Sequence, residues 1–182
     1  MTRSEHARRV SRFVELTRPY HDRLFRIAIT ICGDRDLAAD LSQEALVRAF
    51  NAFDRFEDGR PVLPWLTRIL RNVYLDTFKT SRAKHEVRVG GDRDVQPFAS
   101  VPSPTPNPLQ LTEQREMQRI LASELGKLDP AHQLVINLCE MEGMSYQEAA
   151  DAMEVPIGTV RSRLARARDA LRQRIIRRLA QG

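Results

Sequence analysis

Apolar residues recur at three- and four-residue steps through residues 10–83, which is the period of amphipathic helices. The predicted helices carry the apolar runs 13–31 and 37–53, and a third run that begins near Trp65. Gly33 and Asp34 interrupt the period between the first two runs. The stretch 56–64 contains two prolines and a glycine and is predicted to be a loop. The first block is therefore predicted to be a small helical domain.

The helical period returns between residues 112 and 182. The predicted elements are a helix marked by Met117, Leu121 and Leu125, a helix opened by Asp129 and Pro130, a short helix, a turn at 155–158 and a long final helix from Thr159. The short helix begins with a capping box, in which Ser145 caps the helix and Glu148 reaches back. A short helix, a turn and a longer helix form a helix-turn-helix.

Residues 84–111 separate the two blocks and hold five of the ten prolines of the chain. Missing amide donors and fixed φ angles disfavour a helix there, so the segment is predicted to be an extended, flexible linker. No strand pattern appears in the sequence. The predicted fold is all-α, with domains at 1–83 and 112–182 joined by the proline-rich linker 84–111.

Positive charge is concentrated on the predicted final helix. The whole chain has a formal charge of +5, but eight arginines lie between residues 158 and 181 against a single acidic residue, Asp169. Arginine pairs bidentately with guanine edges and neutralises phosphate, and a helix N-terminus favours a phosphate near Gly158 and Thr159. A basic helix alone would favour a merely solvated surface, but the capped short helix and the turn before it indicate DNA binding.

Other function classes find little support in the sequence. The four histidines are scattered, no phosphate-binding glycine loop is present, and no cofactor or metal site is predicted, so an enzyme is not expected. Cys32 and Cys139 lie apart in apolar helical patterns and are predicted to be buried thiols rather than metal ligands, with a redox switch as the alternative. No secretory signal or membrane-spanning run is visible, which predicts a cytoplasmic protein.

Four motifs together resemble bacterial sigma factors of the extracytoplasmic-function (ECF) group. Residues 158–168 (GTVRSRLARAR) resemble their recognition helix, and residues 145–150 (SYQEAA) resemble the start of their helix-turn-helix. These two motifs alone would also admit response regulators with a similar DNA-binding domain. Residues 40–50 (DLSQEALVRAF) resemble the helix that binds core polymerase, and residues 65–72 (WLTRILRN) resemble the helix at the melted minus-ten element. The motifs stand in the family's order along nearly the whole chain.

The resemblance implies that the helix at 40–50 docks on the clamp of the large subunit of core RNA polymerase, with the flap of that subunit as a further contact. The residues assigned to core binding are Asp40, Leu41, Gln43, Glu44 and Arg48. The four polar ones recur at three- and four-residue spacing and share one face, although spacing alone fits ordinary intrahelical pairs equally well.

The resemblance also implies two DNA contacts. The minus-ten element would be read as a single strand by Phe56, Gly59, Arg60, Arg68, Arg71, Asn72 and Lys79. Asn72 would help to hold a flipped base, whose extrusion costs a few kcal/mol. Trp65 is predicted to be a core residue rather than a stacking platform. The minus-thirty-five duplex would be bound by Thr159, Arg161, Ser162, Ala165, Arg166, Arg168 and Arg172. An anti-sigma factor is a further implied partner.

Two transcription hypotheses follow. A promoter-specificity subunit of RNA polymerase gives both blocks a role and predicts no tight DNA binding without core enzyme. A conventional dimeric regulator explains the helix-turn-helix but leaves the first block without a role, and it requires palindromic sites.

Overall fold

The computed structural model describes residues 3–84 and 108–180, and within these ranges every regular element is a helix or helical turn. The side chains of 78–84 and 108–115 are not described. The α-helices are α1 (Arg3–Thr17), α2 (His21–Cys32), α3 (Arg35–Ala52), α4 (Val62–Lys84), α5 (Pro108–Gly126), α6 (Pro130–Ile136), α7 (Tyr146–Met153) and α8 (Ile157–Leu179). Short 3₁₀ turns cover Arg18–Tyr20 and Phe53–Arg55, and a π-helical turn covers Asn137–Met141. The predicted all-α fold is confirmed.

Two boundaries in the first domain differ from the sequence pattern. The run 13–31 is not one helix, because Pro19 in the 3₁₀ turn lacks the amide that would continue α1. Gly33 does end α2, with a left-handed φ of 70°. The predicted loop 56–64 is too long, since α4 already begins at Val62. Pro64 is tolerated there because the first turn of a helix needs no amide donor.

The core of the first domain lies between α2, α3 and α4. Leu24, Ile27, Leu66 and Leu70 are fully buried in it. Helix α1 packs on this core through Phe13, whose ring lies 5.3 Å from the ring centroids of both Phe50 and Phe53. The core fixes α3 and α4 relative to each other and leaves the outer face of α3 exposed.

In the second domain, α7 and α8 form the predicted helix-turn-helix. Val135, Leu138, Val160 and Leu164 are at most 1% exposed and form the centre of its core. Helix α8 begins at Ile157, two residues earlier than predicted. Helix α5 is present, and of the three apolar residues that marked it in the sequence only Leu125 is buried. Met117 and Leu121 are exposed, while Ala122 and Leu125 are buried.

The capping box at the start of α7 is confirmed and gives a stability prediction. The Glu148 amide donates to Ser145 Oγ at 3.2 Å, and Glu148 Oε2 accepts from the Ser145 amide at 2.7 Å. We expect Ser145→Ala to lower the free energy of unfolding by about 1 kcal/mol, measured by denaturant titration. Ser123→Ala, an exposed serine within α5, is the control and should be close to neutral. Equal losses in the two variants would contradict a capping role.

The two domains pack directly against each other, α4 lying on α7 and α2 on α6. The sequence pattern did not predict this contact. Residues 85–107 of the predicted linker lie outside the described residues. Helix α5 begins at Pro108, inside the segment predicted to be extended, where proline fits the first helical position. None of the described helices is both long and apolar enough to cross a bilayer.

Candidate nucleic-acid and polymerase interfaces

The outer face of α8 is basic and open to solvent. Arg161, Ser162, Ala165, Arg166 and Arg172 are exposed, and Thr159 is half-buried at the start of the helix. Ser162 Oγ donates to the Thr159 carbonyl at 3.1 Å, which holds the serine against the first turn. Among the described side chains, none forms an ion pair or hydrogen bond with the guanidinium groups of Arg161, Arg166 and Arg172. These three cations are therefore available to an external anion.

Arg168 differs from the other arginines of this face. Its Nε donates to Glu140 Oε1 at 3.0 Å, a second nitrogen contacts the same oxygen, and this hydrogen bonding raises the pKa of the guanidinium group further. Glu140 lies in the π-helical turn before the helix-turn-helix. A phosphate would have to displace this carboxylate, so Arg168 is less available than its position in the sequence indicated.

The outer face of α3 carries most of the residues predicted to bind polymerase. Asp40, Gln43 and Glu44 are exposed. Arg48 is half-buried and bridges Glu44 at 2.8 Å and Asp76 of α4 at 2.7 Å. The intrahelical pairing that spacing allowed is thus present for Glu44 and Arg48, while Asp40 and Gln43 project into solvent.

Two apolar residues of α3 change the composition of this face. Leu41 is only 3% exposed and lies in the core, so it supports the helix and is not accessible to a partner. Val47 is 55% exposed and was not selected from the sequence. It lies three and four residues from Glu44 and Gln43, so the same helical period could have identified it. An apolar side chain among polar ones is typical of the centre of a protein interface.

The loop before α4 is held by aromatic packing. Phe56 lies 4.6 Å from the ring centroid of Trp65, and both are half-buried against the core. This agrees with the prediction for Trp65 as a core residue. Gly59 is exposed with a φ of 86°, a conformation that favours glycine. Arg60 is exposed and pairs with Glu57 at 2.8 Å.

The arginines of α4 contact the second domain. Arg68 Nε and Arg71 Nη1 each donate to a carboxylate oxygen of Glu154, both at 2.9 Å. Asn72 directly follows Arg71 in the sequence and is half-buried. Lys79 also lies in α4, but its side chain is among those that the structure does not describe. The two arginines predicted to contact the minus-ten strand are therefore paired with a carboxylate of the helix-turn-helix domain.

Comparisons with known proteins match two segments of the chain to regions of one family. Residues 16–84 match Sigma-70 region 2, and residues 118–171 match Sigma-70, region 4. The ECF RNA polymerase sigma-E factor of Escherichia coli (strain K12) is 30% identical over 139 residues, which are 75% of this chain and 72% of that protein. The chain belongs to the ECF sigma factor family. Sigma factors are not enzymes in the catalytic sense.

Further relatives of this ECF sigma factor include SigW of Bacillus subtilis, 25% identical over 90% of this chain and 88% of SigW. SigE of Mycolicibacterium smegmatis is 33% identical over 87% of this chain, which spans only 59% of that relative. Among solved structures, RpoE in complex with the anti-sigma factor NepR from Bartonella quintana superposes with a TM-score of 0.67 at 25% identity, covering 90% of this chain and 96% of that one. CnrH in complex with the cytosolic domain of CnrY gives a TM-score of 0.58 at 27% identity, covering 88% and 85%.

A second carboxylate of the sigma factor also crosses between the domains. Glu142 has a side chain only 2% exposed, and it contacts Arg23 at 2.6 Å and Arg26 at 3.2 Å, both on α2. Arg23 also donates to the Glu142 carbonyl. A buried carboxylate needs such partners, since an unpaired buried charge is costly. Glu142 and Glu154 both pair with arginines of the first domain, and neither was selected from the sequence.

The two cysteines of the sigma factor lie in different domains, and both thiols are free and half-buried. Burial raises the pKa of Cys32, and it also raises the pKa of Cys139. A higher thiol pKa lowers the thiolate fraction at neutral pH, which disfavours oxidation and alkylation. The thiols are less buried than the sequence predicted, since each is only half-buried.

Proposed function

We propose that this chain binds core RNA polymerase and directs initiation at promoters whose minus-ten and minus-thirty-five elements it recognises. The observation that carries the proposal is the presence of two distinct surfaces on the two sigma regions. One is the outer face of α3, with Asp40, Gln43, Glu44 and Val47 exposed. The other is the outer face of α8, with uncompensated arginines. A conventional regulator requires only the second surface.

For the minus-thirty-five element we assign base or phosphate contacts to exposed residues of α8. Arg161, Ser162, Ala165 and Arg166 lie toward its N-terminal end, the part of a recognition helix that meets base edges. Arg172, six residues beyond Arg166 on α8, is assigned to phosphate, and Thr159 to phosphate at the helix start. Arg168 contributes once DNA displaces Glu140.

For the minus-ten element we assign Arg68 and Arg71 to the phosphates of the single-stranded DNA. The loop residues Phe56, Gly59 and Arg60 are assigned to the part of this DNA strand that lies beside the start of α4. Single-stranded DNA is commonly held by a basic groove combined with aromatic stacking. The Phe56 ring already packs against Trp65, with the two ring planes tilted by 48°, so in the free chain it stabilises the loop. Asn72 and Lys79 stay assigned to the flipped base and to the strand beyond it.

We further propose an anti-sigma factor as a regulatory partner and the cytoplasm as the site of action. Support for the partner comes from RpoE and CnrH, which are similar to this chain over most of its length and were solved with NepR and CnrY respectively. Core polymerase and promoter DNA, the other proposed partners, require a cytoplasmic location.

The decisive experiment mixes the purified chain with bacterial core RNA polymerase, separates the mixture by size exclusion and transcribes a promoter library with the product. We expect co-elution and new start sites that share two sequence elements at fixed spacing. Failure to co-elute, combined with binding of the chain to palindromic duplex DNA as a dimer, would instead establish a conventional regulator.

A further inference from the structure

Helix α1 contacts the loop before α4 at two points, the 3₁₀ turn from which the loop starts and the tip of the loop. Arg9 Nε lies 2.9 Å from a carboxylate oxygen of Asp54, which belongs to that turn. Arg12 contacts Asp58 Oδ1 at the tip. Both arginines precede residues 16–84, the segment that matches Sigma-70 region 2. The loop is therefore held by a helix that lies largely outside the matched segment.

Each of these arginines also lies over an aromatic ring that supports the loop. The guanidinium carbon of Arg9 lies 4.6 Å from the ring centroid of Phe50, and that of Arg12 lies 5.7 Å from the ring centroid of Phe53. Phe53 in turn stacks on Phe56, with the two ring planes 19° apart. Arginine can stack on an aromatic face while its nitrogens pair with a carboxylate. Both guanidinium groups are thus directed toward the loop by the rings beneath them.

Arg9 and Arg12 differ in how deeply they belong to the domain. Arg9 Nη2 donates to the Phe50 carbonyl at 2.8 Å, near the C-terminal end of α3, where a cation is favoured. The Arg9 side chain is 19% exposed, so its contacts are part of the domain structure. The Arg12 side chain is 61% exposed. A substitution at Arg12 therefore leaves the core of the domain intact.

The tip of the loop has few constraints of its own. Residues 57–60 form a turn in which the Arg60 amide donates to the Glu57 carbonyl at 3.2 Å. Gly59 has a φ of 86° and open space around the position that a Cβ would take. Among the described side chains of other elements, that of Arg12 is the one that bonds to this turn. The position of the tip therefore depends on Arg12.

This loop carries three of the residues assigned above to the minus-ten strand, namely Phe56, Gly59 and Arg60. Ordering a loop at the moment of binding costs affinity, so a loop that discriminates between bases gains from being held in one geometry beforehand. Asp58 lies between these residues and is the point at which α1 holds them. The contact of Arg12 with Asp58 thus acts on base recognition through the loop.

We propose that Arg12 is a positioning residue for minus-ten recognition, which fixes the tip of the loop through Asp58 and thereby sets the base preference of the sigma factor. This rests on the proposed function, because it takes the loop to read the minus-ten strand. Arg9 fixes the start of the same loop through Asp54. An exposed salt bridge contributes little to global stability, so its removal changes the order of the loop while the fold is kept.

The test compares the full chain with Arg12→Gln. With core polymerase and a library randomised at both promoter elements, we expect the base preference at the minus-ten element to fall about threefold. The minus-thirty-five preference and core binding should stay unchanged. In the free chain, the NMR order parameters of the Gly59 and Arg60 amides should fall. Asp58→Asn should cause the same losses, and the double variant should lose no more than either single one, because both substitutions remove the same interaction.

Arg8→Gln is the matched control, because it removes the same charge from the same helix. Arg8 is exposed, lines the cleft of about 400 Å³ between α1 and the loop, and forms no ion pair with a described side chain. An equal loss of base preference in this control would assign the effect to net charge and overturn the proposal. Additive losses in the double variant, or lower order parameters with an unchanged base preference, would overturn it as well.

A direct contact of Arg12 with DNA phosphate is the competing explanation for reduced transcription. It predicts a uniform loss across all minus-ten sequences with unchanged order parameters, and that result would overturn the positioning role. Start sites of the wild type that share no minus-ten element would instead contradict the proposed function itself. The order parameters would then still show whether Arg12 holds the loop.

Discussion

Replacing Arg161 and Arg166 with alanine is expected to abolish most minus-thirty-five-dependent transcription while leaving core polymerase binding unchanged. Both side chains are exposed and unpaired among the described residues, so each can give its full set of donors to DNA. A bidentate contact to a guanine contributes about 1–3 kcal/mol of discrimination, which corresponds to a factor of roughly 5 to 150 for each arginine. Multi-round transcription from the promoters selected by the library, with core binding measured in parallel, checks this expectation.

Arg178→Ala is the control for this prediction, since it removes one exposed arginine from the C-terminal end of the same helix. It should lower transcription only slightly, through weaker long-range attraction to the duplex. Equal loss in the control would mean that the total charge of α8, rather than the position of its arginines, directs binding. If the Arg161 and Arg166 double variant lost transcription and core binding together, the assignment of α8 to the minus-thirty-five element would be contradicted.

Replacing Gln43 and Glu44 with alanine is expected to weaken binding to core polymerase by about tenfold or more, with duplex DNA binding unchanged. Both are exposed on α3 beside Val47, and residues at the centre of an interface carry most of its affinity. Helix α3 should persist in the variant, because its core residues are untouched and Arg48 still pairs with Asp76 at 2.7 Å. Competition against a labelled reference sigma factor for core enzyme measures the affinity.

Glu15→Ala removes an exposed carboxylate from α1 of the same domain and is the control for that pair. It should leave core binding unchanged. Val47→Asp should weaken core binding at least as much as the double variant, because it puts a charge at the apolar centre of the proposed interface. Undiminished core binding in both α3 variants would mean that the docking helix has been placed wrongly.

Sequence signals that act within a few residues were sufficient to predict most helix ends and the outward face of α8. The capping box at Ser145 and Glu148, the helix end at Gly33 and the proline at position 130 each act within a few residues, so the sequence pattern is sufficient to find them. The alternation of apolar and basic residues in α8 likewise places Val160 and Leu164 inward and Arg161 and Arg166 outward. The outward basic face of α8 follows from this period alone, whereas its assignment to the minus-thirty-five element comes from the resemblance to the ECF group.

The burial of individual residues and the pairing of side chains distant in sequence could not be predicted from the sequence, because they depend on the tertiary fold. Leu41 was assigned to a surface but lies in the core, because the period does not say which residue of a mixed helix sits at the boundary. Arg168 was assigned to the minus-thirty-five duplex but is paired with Glu140, 28 residues earlier.

The sequence of this ECF sigma factor determined its helices, its two regions and the chemistry of α8, since these depend on contacts within one or two helical turns. Only the tertiary structure decided that α4 lies on α7. Arg68 and Glu154 are 86 residues apart, and Arg23 and Glu142 are 119 apart. A helical period relates only residues within a few turns of each other. A salt bridge between domains depends instead on how the two folded domains pack against each other. The pairing of Arg68 and Arg71 with Glu154 is therefore decided by the tertiary structure.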